Sequence, residues 1–298
     1  MASLRPRRQT AAMPPPVRLD LALPPGYPAE AVLAFFARRA IPGVEHVTAT
    51  SYRRSFAFNG GPGWLEADLV RGVLEVQHAD PTAAREAAAR SRRLFDLDAP
   101  RAGIRRCFAR DARLGPLLRE HGDIRVPGCW DGFELGVRAV LGQQITVAAA
   151  RTIAARIVAR HAPRIAGAAA DEPCHSLFPD ATVFTAADLD GLGLTGARIA
   201  TLRALADAVA GGAVDFDPAQ GGAQFVARCT AVRGIGPWTA HYMAMRALRD
   251  SDAFPAGDIV LRKVLRPGTT LSVKELEAAS QPWRPYRAYA VLLLWRAA

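Results

Sequence analysis

Residues 230–258 read TAVRGIGPWTAHYMAMRALRDSDAFPAGD, a glycine-bracketed turn that opens a helix and a lone aspartate about twenty residues on. In Gly234-Ile235-Gly236-Pro237 the two glycines permit positive φ and close backbone approach. Pro237 suits the first position of a helix, where its missing donor would be unsatisfied anyway. Ile235, between the glycines, is placed to plug the turn into a core. The amides of such a turn point outward at a helix start and can bind a phosphate oxygen without reading sequence, although an ordinary helix start has the same pattern. From Pro237 the helix is expected to run to about Leu248, which puts Trp238, Tyr242 and Met245 on one face at spacings of four and three. Met245 reads as core. Residues 251–257 read as a loop, and Asp258 stands just before the helix-compatible run 259–265. It suits an N-cap there, and a capping carboxylate aimed by amide donors can also be a catalytic one.

The hairpin RGIGPWTA, its helix and the aspartate beyond it resemble the helix-hairpin-helix DNA glycosylase superfamily. More narrowly the chain resembles the bacterial 3-methyladenine DNA glycosylase II family, the alkylation-repair branch. GCWDGFELGVRAVLGQQITV at 128–147, SRRLFDLDAP at 91–100 and WRPYRAYAVLLLW at 283–295 carry the same likeness, in order, so that it spans about 27–295. The resemblance implies a mainly α protein with an N-terminal α+β module, in which two helical subdomains flank an active-site cleft. It implies a monofunctional glycosylase that flips alkylated bases out of duplex DNA and hydrolyses them away, with no cofactor.

By the same resemblance, Asp258 is the catalytic carboxylate. Breaking the bond between sugar C1′ and base nitrogen develops positive charge on the sugar, which a nearby carboxylate stabilises. Phe35, Trp238, Tyr242 and Trp295 fall at positions that line the base pocket, where electron-rich faces attract electron-poor alkylated rings. Gly234, Ile235, Gly236 and Thr239 fall at DNA-contacting positions. Gln144 stands where the family places the wedge that fills the gap left by the flipped base. The better-known pattern has an apolar residue there, and from the residues alone Gln144 is equally a polar helix end. Ile259 replaces an aromatic of the best-known member, and Gly257 stands where a second acid occurs. Bifunctional relatives carry a lysine nucleophile at the position of Trp238, so no Schiff base is expected. The carbonyls of Val232 and Ile235 are the candidates for a structural monovalent cation. No catalytic metal is expected, since none of the six histidines has metal-ligand spacing.

The composition agrees. The 298 residues are 50% hydrophobic and can bury large cores, expected as two or three domains. A net charge of +10 suits a polyanion partner, although a GC-rich genome gives the same basic balance; the resemblance implies that the partner is double-stranded DNA. No apolar run approaches a membrane span, and a cytoplasmic monomer without an obligate protein partner is expected. Cys107, Cys129, Cys174 and Cys229 have no paired spacing, which argues against a zinc ribbon or iron-sulfur loop and for reduced thiols. Residues 1–16 read as a disordered basic tail. Residues 17–112 read as the α+β module, with helices over about 28–40 and 82–95, strands over 51–58 and 72–77, and a hairpin around Gly60-Gly61-Pro62-Gly63; the resemblance implies that the sheet is small and antiparallel. Residues 113–298 read as the helical glycosylase region, its hairpin motif over about 225–250. Phe133, Val137, Val140 and Leu141 form one apolar stripe there, 147–159 a second amphipathic helix, and 161–180 and 211–222 surface loops. A second turn, Gly191-Leu192-Gly193, reads as packing. Two other functions fit the residues: a noncatalytic helix-hairpin-helix DNA-binding protein, in which Asp258 is only a cap, and a glycosylase for deaminated or oxidised bases.

Overall fold

A computed structural model describes residues 14–169, 171–266 and 268–298, so most of the expected basic tail lies outside the described residues. The N-terminal part is built on strands β1 (Val17–Asp20), β2 (Glu45–Val47), β3 (Ser51–Phe58), β4 (Gly61–Asp68) and β5 (Val73–His78). They form one antiparallel sheet in the order β1-β5-β4-β3-β2. Alternation sets its faces: Leu74, Val76 and His78 of β5 point inward while Val73, Glu75 and Gln77 do not. Helices α1 (Ala29–Ala37) and α2 (Ala83–Leu94) belong to the same core, with Val32, Leu33, Phe36, Ala83, Ala84 and Ala87 buried. The β3–β4 hairpin turns at Asn59-Gly60, with φ of 46° and 77°, and pairs Phe58 with Gly61. Asn-Gly is the dipeptide a two-residue turn with two positive φ angles selects. The expected turn at Gly60-Gly61-Pro62-Gly63 is therefore displaced, and Gly61, Pro62 and Gly63 lie inside β4.

All later elements are helical: α3 (Arg101–Phe108), α4 (Leu114–His121), α5 (Gly132–Leu141), α6 (Val147–His161), α7 (Ala181–Ala186), α8 (Gly196–Ala210), α9 (Gly222–Thr230), α10 (Pro237–Met243), α11 (Ile259–Val264), α12 (Val273–Ala279) and α13 (Arg287–Arg296). Side-chain caps start several of them: Asp131 on α5, Thr146 on α6, Thr195 on α8 and Ser272 in a capping box on α12. Helix α5 lies at the centre, with Phe133, Val137, Val140 and Leu141 all in the large helical core. Ile104 and Phe108 of α3 pack into that core too, whereas Phe95 and Leu97 pack under the sheet. The two cores interleave along the chain: Ile41 and Val44 belong to the helical core and Trp130 to the sheet core.

A buried ionic network joins the two parts. The Arg54 guanidinium donates to Glu134 at 2.8 Å, and Arg138 donates to Glu134 at 3.0 Å and to Glu45 at 2.5 Å. Tyr52 donates to the other Glu45 oxygen at 2.7 Å. Burial works against the Glu134 charge, but Arg54 and Arg138 outweigh it and hold its pKa far below the ordinary carboxylate value. Asp96, also buried, is gripped by Arg249 and by the Val126 amide at 2.8 Å, which accounts structurally for the SRRLFDLDAP stretch.

Candidate active site

The segment that opened the sequence reading folds as a turn, a helix and a return loop. Helix α10 continues into one π-helical turn, Ala244–Leu248, and ends at Arg249 with φ of 60°. The helix thus runs to Leu248 as expected, with its last turn widened from α to π. Met245 is buried in the core. The loop then returns over the start of α10 and delivers Asp258 to the N-cap of α11. Its Oδ1 accepts the Val260 and Leu261 amides at 2.8 and 3.1 Å. Its Oδ2 accepts the Trp238 indole N–H at 2.9 Å. A cap needs only the first oxygen. The second is aimed by an aromatic side chain from another helix, and the carboxylate, 7% exposed, still reaches a cleft.

That cleft has a volume of about 410 Å³, in the range of small-molecule sites. Trp238 and Tyr242 stack in it, 5.4 Å apart and 5° from parallel, because a spacing of four puts them one above the other on α10. Trp295 of α13 comes to 6.5 Å from Tyr242 at 46°. Ile145, Val147, Ala150 and Ala154 of the α5–α6 loop and α6 line it too. The cleft is therefore lined by flat aromatic rings, aliphatic groups and one acid.

Arginines line it as well: Arg39, Arg138, Arg151 and Arg246. Arg246 donates to the Tyr242 hydroxyl at 2.6 Å and to the carbonyls of Pro127 and Gly128 at 2.8 and 2.7 Å. Arg39 donates to the Phe35 carbonyl at 3.0 Å, and burial pulls its pKa down to about 10, so it stays charged at neutral pH. Phe35 itself does not line the cleft. Its ring is covered by Arg39, 3.8 Å from the centroid, and by Arg246 at 4.9 Å. Sequence reasoning missed these arginines, although Arg39 stands four residues after Phe35 and Arg246 four after Tyr242.

The loop between α5 and α6 is short and tied on both sides. Gln143 donates through its side-chain amide to the Gly234 carbonyl at 3.2 Å and to the Thr239 hydroxyl at 3.1 Å. Its own carbonyl accepts Arg198 of α8 at 2.5 Å. Next to it Gln144 is exposed, with φ of 58°, a left-handed conformation that costs a non-glycine residue on the order of 1–3 kcal/mol. The helix that supplies Arg198 starts at the second glycine turn, which otherwise packs as expected, with Leu192 buried.

In the hairpin the two glycines differ. Gly234 has φ of 85°, and a Cβ there would lie 1.9 Å from Thr201 Oγ1. Gly236 has φ of −85° and nothing within 4 Å of a Cβ, so only Gly234 uses the positive φ that glycine permits. Ile235 is buried and reaches the surface only through its backbone. Thr239 is 3% exposed, and its hydroxyl accepts the Gln143 side-chain amide. The Val232 carbonyl accepts the Ile235 amide at 3.1 Å. Among the described residues the cysteines are unpaired, burial pushes the thiols of Cys129, Cys174 and Cys229 up to about 12, and no group of metal-ligating side chains occurs.

Comparison with known proteins agrees with this architecture. Residues 18–131 match the family described as the AlkA N-terminal domain. Over 279 residues the chain is 33% identical to DNA-3-methyladenine glycosylase 2 of Escherichia coli, covering 91% of this chain and 94% of that protein. The chain belongs to the DNA-3-methyladenine glycosylase II family. It is also 33% identical, over 96% of its length, to a Mycobacterium tuberculosis protein named probable bifunctional transcriptional activator/DNA repair enzyme AlkA. It spans 57% of that protein, little more than half. The solved 3-methyladenine DNA-glycosylase of Archaeoglobus fulgidus has the same fold at 18% identity, with a TM-score of 0.77 over 94% of this chain and 97% of its own. Within this glycosylase II fold, Asp258, Trp238, Tyr242 and Trp295 meet in one cleft, which Gly142 and Ile145 of the loop that carries Gln144 also line. Among the described residues no helix is long and apolar enough to cross a membrane.

Proposed function

We propose that this chain is a monofunctional DNA glycosylase that excises alkylated bases from duplex DNA and leaves an abasic site for other enzymes. The observation that carries this reading is the Asp258 carboxylate: capped on one oxygen, held by the Trp238 indole on the other, at the side of an aromatic cleft. A flipped base held in the cleft lined by Trp238, Tyr242 and Trp295 brings its sugar towards Asp258, where the carboxylate opposes the positive charge that develops as the C1′–N bond lengthens. Hydrolysis then follows by water, because Trp238 occupies the place where an amine nucleophile would be needed for strand cleavage. A noncatalytic role leaves the Asp258 Oδ2 contact and the cleft without purpose.

The remaining parts of the site fit the same reading. Gln144, exposed on its strained loop, fills the gap left by the flipped nucleotide and hydrogen-bonds the unpaired base. The amides of Gly234 and Gly236, which donate to no described acceptor, face a phosphate, while the Ile235 amide is held by the Val232 carbonyl. The carbonyls of Val232 and Ile235 are the proposed donors to a monovalent cation; that the Val232 oxygen keeps a lone pair beyond the one given to the Ile235 amide is compatible with this. Such an ion would brace the hairpin against phosphate. Double-stranded DNA is the partner, and the cytoplasm the compartment. The test is base release from methylated duplex DNA, with strand breaks scored before and after alkali. Release with breaks only after alkali supports the proposal; DNA binding without release, or breaks before alkali, contradicts it.

A further inference from the structure

The charge lining the cleft exceeds what an aromatic clamp requires. Of its arginines, only Arg138 is paired with carboxylates, Glu45 and Glu134, among the described residues, and Asp258 is the one acid in the lining. Such a field works against a base that enters as a cation. It favours a base that leaves with negative charge.

The Tyr242 hydroxyl sits inside this field. Its oxygen accepts from Arg246, which is itself immobilised by the carbonyls of Pro127 and Gly128 and is 6% exposed. Having accepted there, the phenol has one proton to give, and no described residue receives it. Burial alone would disfavour a phenolate, yet Arg246 and Arg39 beside it lower the Tyr242 pKa below its ordinary value. A phenol polarised in this way is a strengthened donor.

We propose that the Tyr242 O–H, oriented by Arg246, donates a hydrogen bond to the departing base and so sets the enzyme's rate on uncharged lesions; this rests on the glycosylase reading above. When the C1′–N bond of a neutral base breaks, the electron pair leaves with the base. The resulting negative charge spreads over ring nitrogens and any carbonyl oxygen. Tyr242 binds that acceptor, and the unpaired guanidinium groups stabilise the anion. Water adds to C1′, and its proton passes through solvent to the base, so that an abasic sugar and a neutral free base result. A cationic alkylated purine leaves as a neutral molecule and gains far less from a donor. Tyr242 is thus a catalytic residue for one class of lesion, and Arg246 is its positioning residue.

The test is a ratio measured within one preparation: single-turnover excision of hypoxanthine, uncharged and carbonyl-bearing, against 7-methylguanine, cationic, in otherwise identical duplexes. Tyr242→Phe keeps the ring and its stack and removes the hydroxyl. Its hypoxanthine-to-7-methylguanine ratio should fall about 10- to 100-fold, the loss of one hydrogen bond to a charged partner. Arg246→Lys should lower the same ratio in the same direction. Partial unfolding scales both rates alike and leaves the ratio unmoved. An unchanged ratio in Tyr242→Phe overturns the proposal, as does a wild type that releases 7-methylguanine but no hypoxanthine. Release of neither base overturns the glycosylase reading, and this one with it.

Discussion

Replacing each hairpin glycine by alanine separates what the turn does for the fold from what it does for DNA. At Gly234 an alanine would sit at φ of 85° with its methyl 1.9 Å from Thr201 Oγ1 and 2.9 Å from Thr201 Cβ. The left-handed conformation costs about 1–2 kcal/mol and overpacking about 1–3 kcal/mol more, so Gly234→Ala should lose roughly 2–5 kcal/mol of stability. Gly236 has an ordinary φ of −85° and open space around a Cβ. Gly236→Ala should therefore change stability by no more than about 0.5 kcal/mol. Its methyl, however, would stand on the exposed face where the amides are proposed to meet a phosphate. Displacing one charge-assisted hydrogen bond should weaken duplex binding about 10- to 100-fold. Urea unfolding gives the first quantity and fluorescence anisotropy on a labelled duplex the second. If Gly236→Ala keeps wild-type affinity, the hairpin face is not the phosphate contact. If it is as unstable as Gly234→Ala, the conformational argument fails.

Two further substitutions test the supports of the site. Gln143→Ala removes the ties to Gly234 and Thr239, and should slow single-turnover base release about tenfold with a stability change of about 1 kcal/mol, read by quenched-flow and urea unfolding; an unchanged rate would show that the loop needs no such tie. Glu134→Gln leaves the Arg54 and Arg138 guanidinium groups without one of their counter-charges and should cost about 3–5 kcal/mol at neutral pH. Because the folded-state pKa of Glu134 is depressed, its contribution is present above the ordinary value of 4.5 and lost as pH falls below it. Urea unfolding against pH should show the gap between wild type and variant narrowing below about pH 4.5; a constant gap would contradict the assignment.

Local rules made much of this molecule legible. The hairpin was readable because glycine, a buried plug and proline each have one conformational meaning. The meeting of Trp238 with Tyr242 followed from a spacing of four, and Asp258 as a cap from its place before an apolar run. The β3–β4 turn was misplaced because the Gly60-Gly61-Pro62-Gly63 cluster drew attention from Asn59-Gly60, the pair that matches a tight turn. The arginines of the cleft stand at helical spacing from Phe35 and Tyr242, yet a guanidinium in a basic chain reads as surface charge until its carbonyl partners are known. Those partners are distant: Arg246 grips Pro127 and Gly128, and Arg198 holds Gln143, pairings no local pattern encodes. Thr239 illustrates the converse, a polar residue at a helix start whose side chain turned inward to Gln143 rather than outward.

The central claim is that the charge of Asp258 does chemistry beyond capping α11. Asp258→Asn retains an oxygen for the Val260 and Leu261 amides but removes the charge. Single-turnover release of 7-methylguanine by wild type and Asp258→Asn, with duplex affinity measured alongside, tests it directly. The account predicts a rate lower by at least about 100- to 1,000-fold with affinity for DNA retained. A variant that releases the base at the wild-type rate would contradict it.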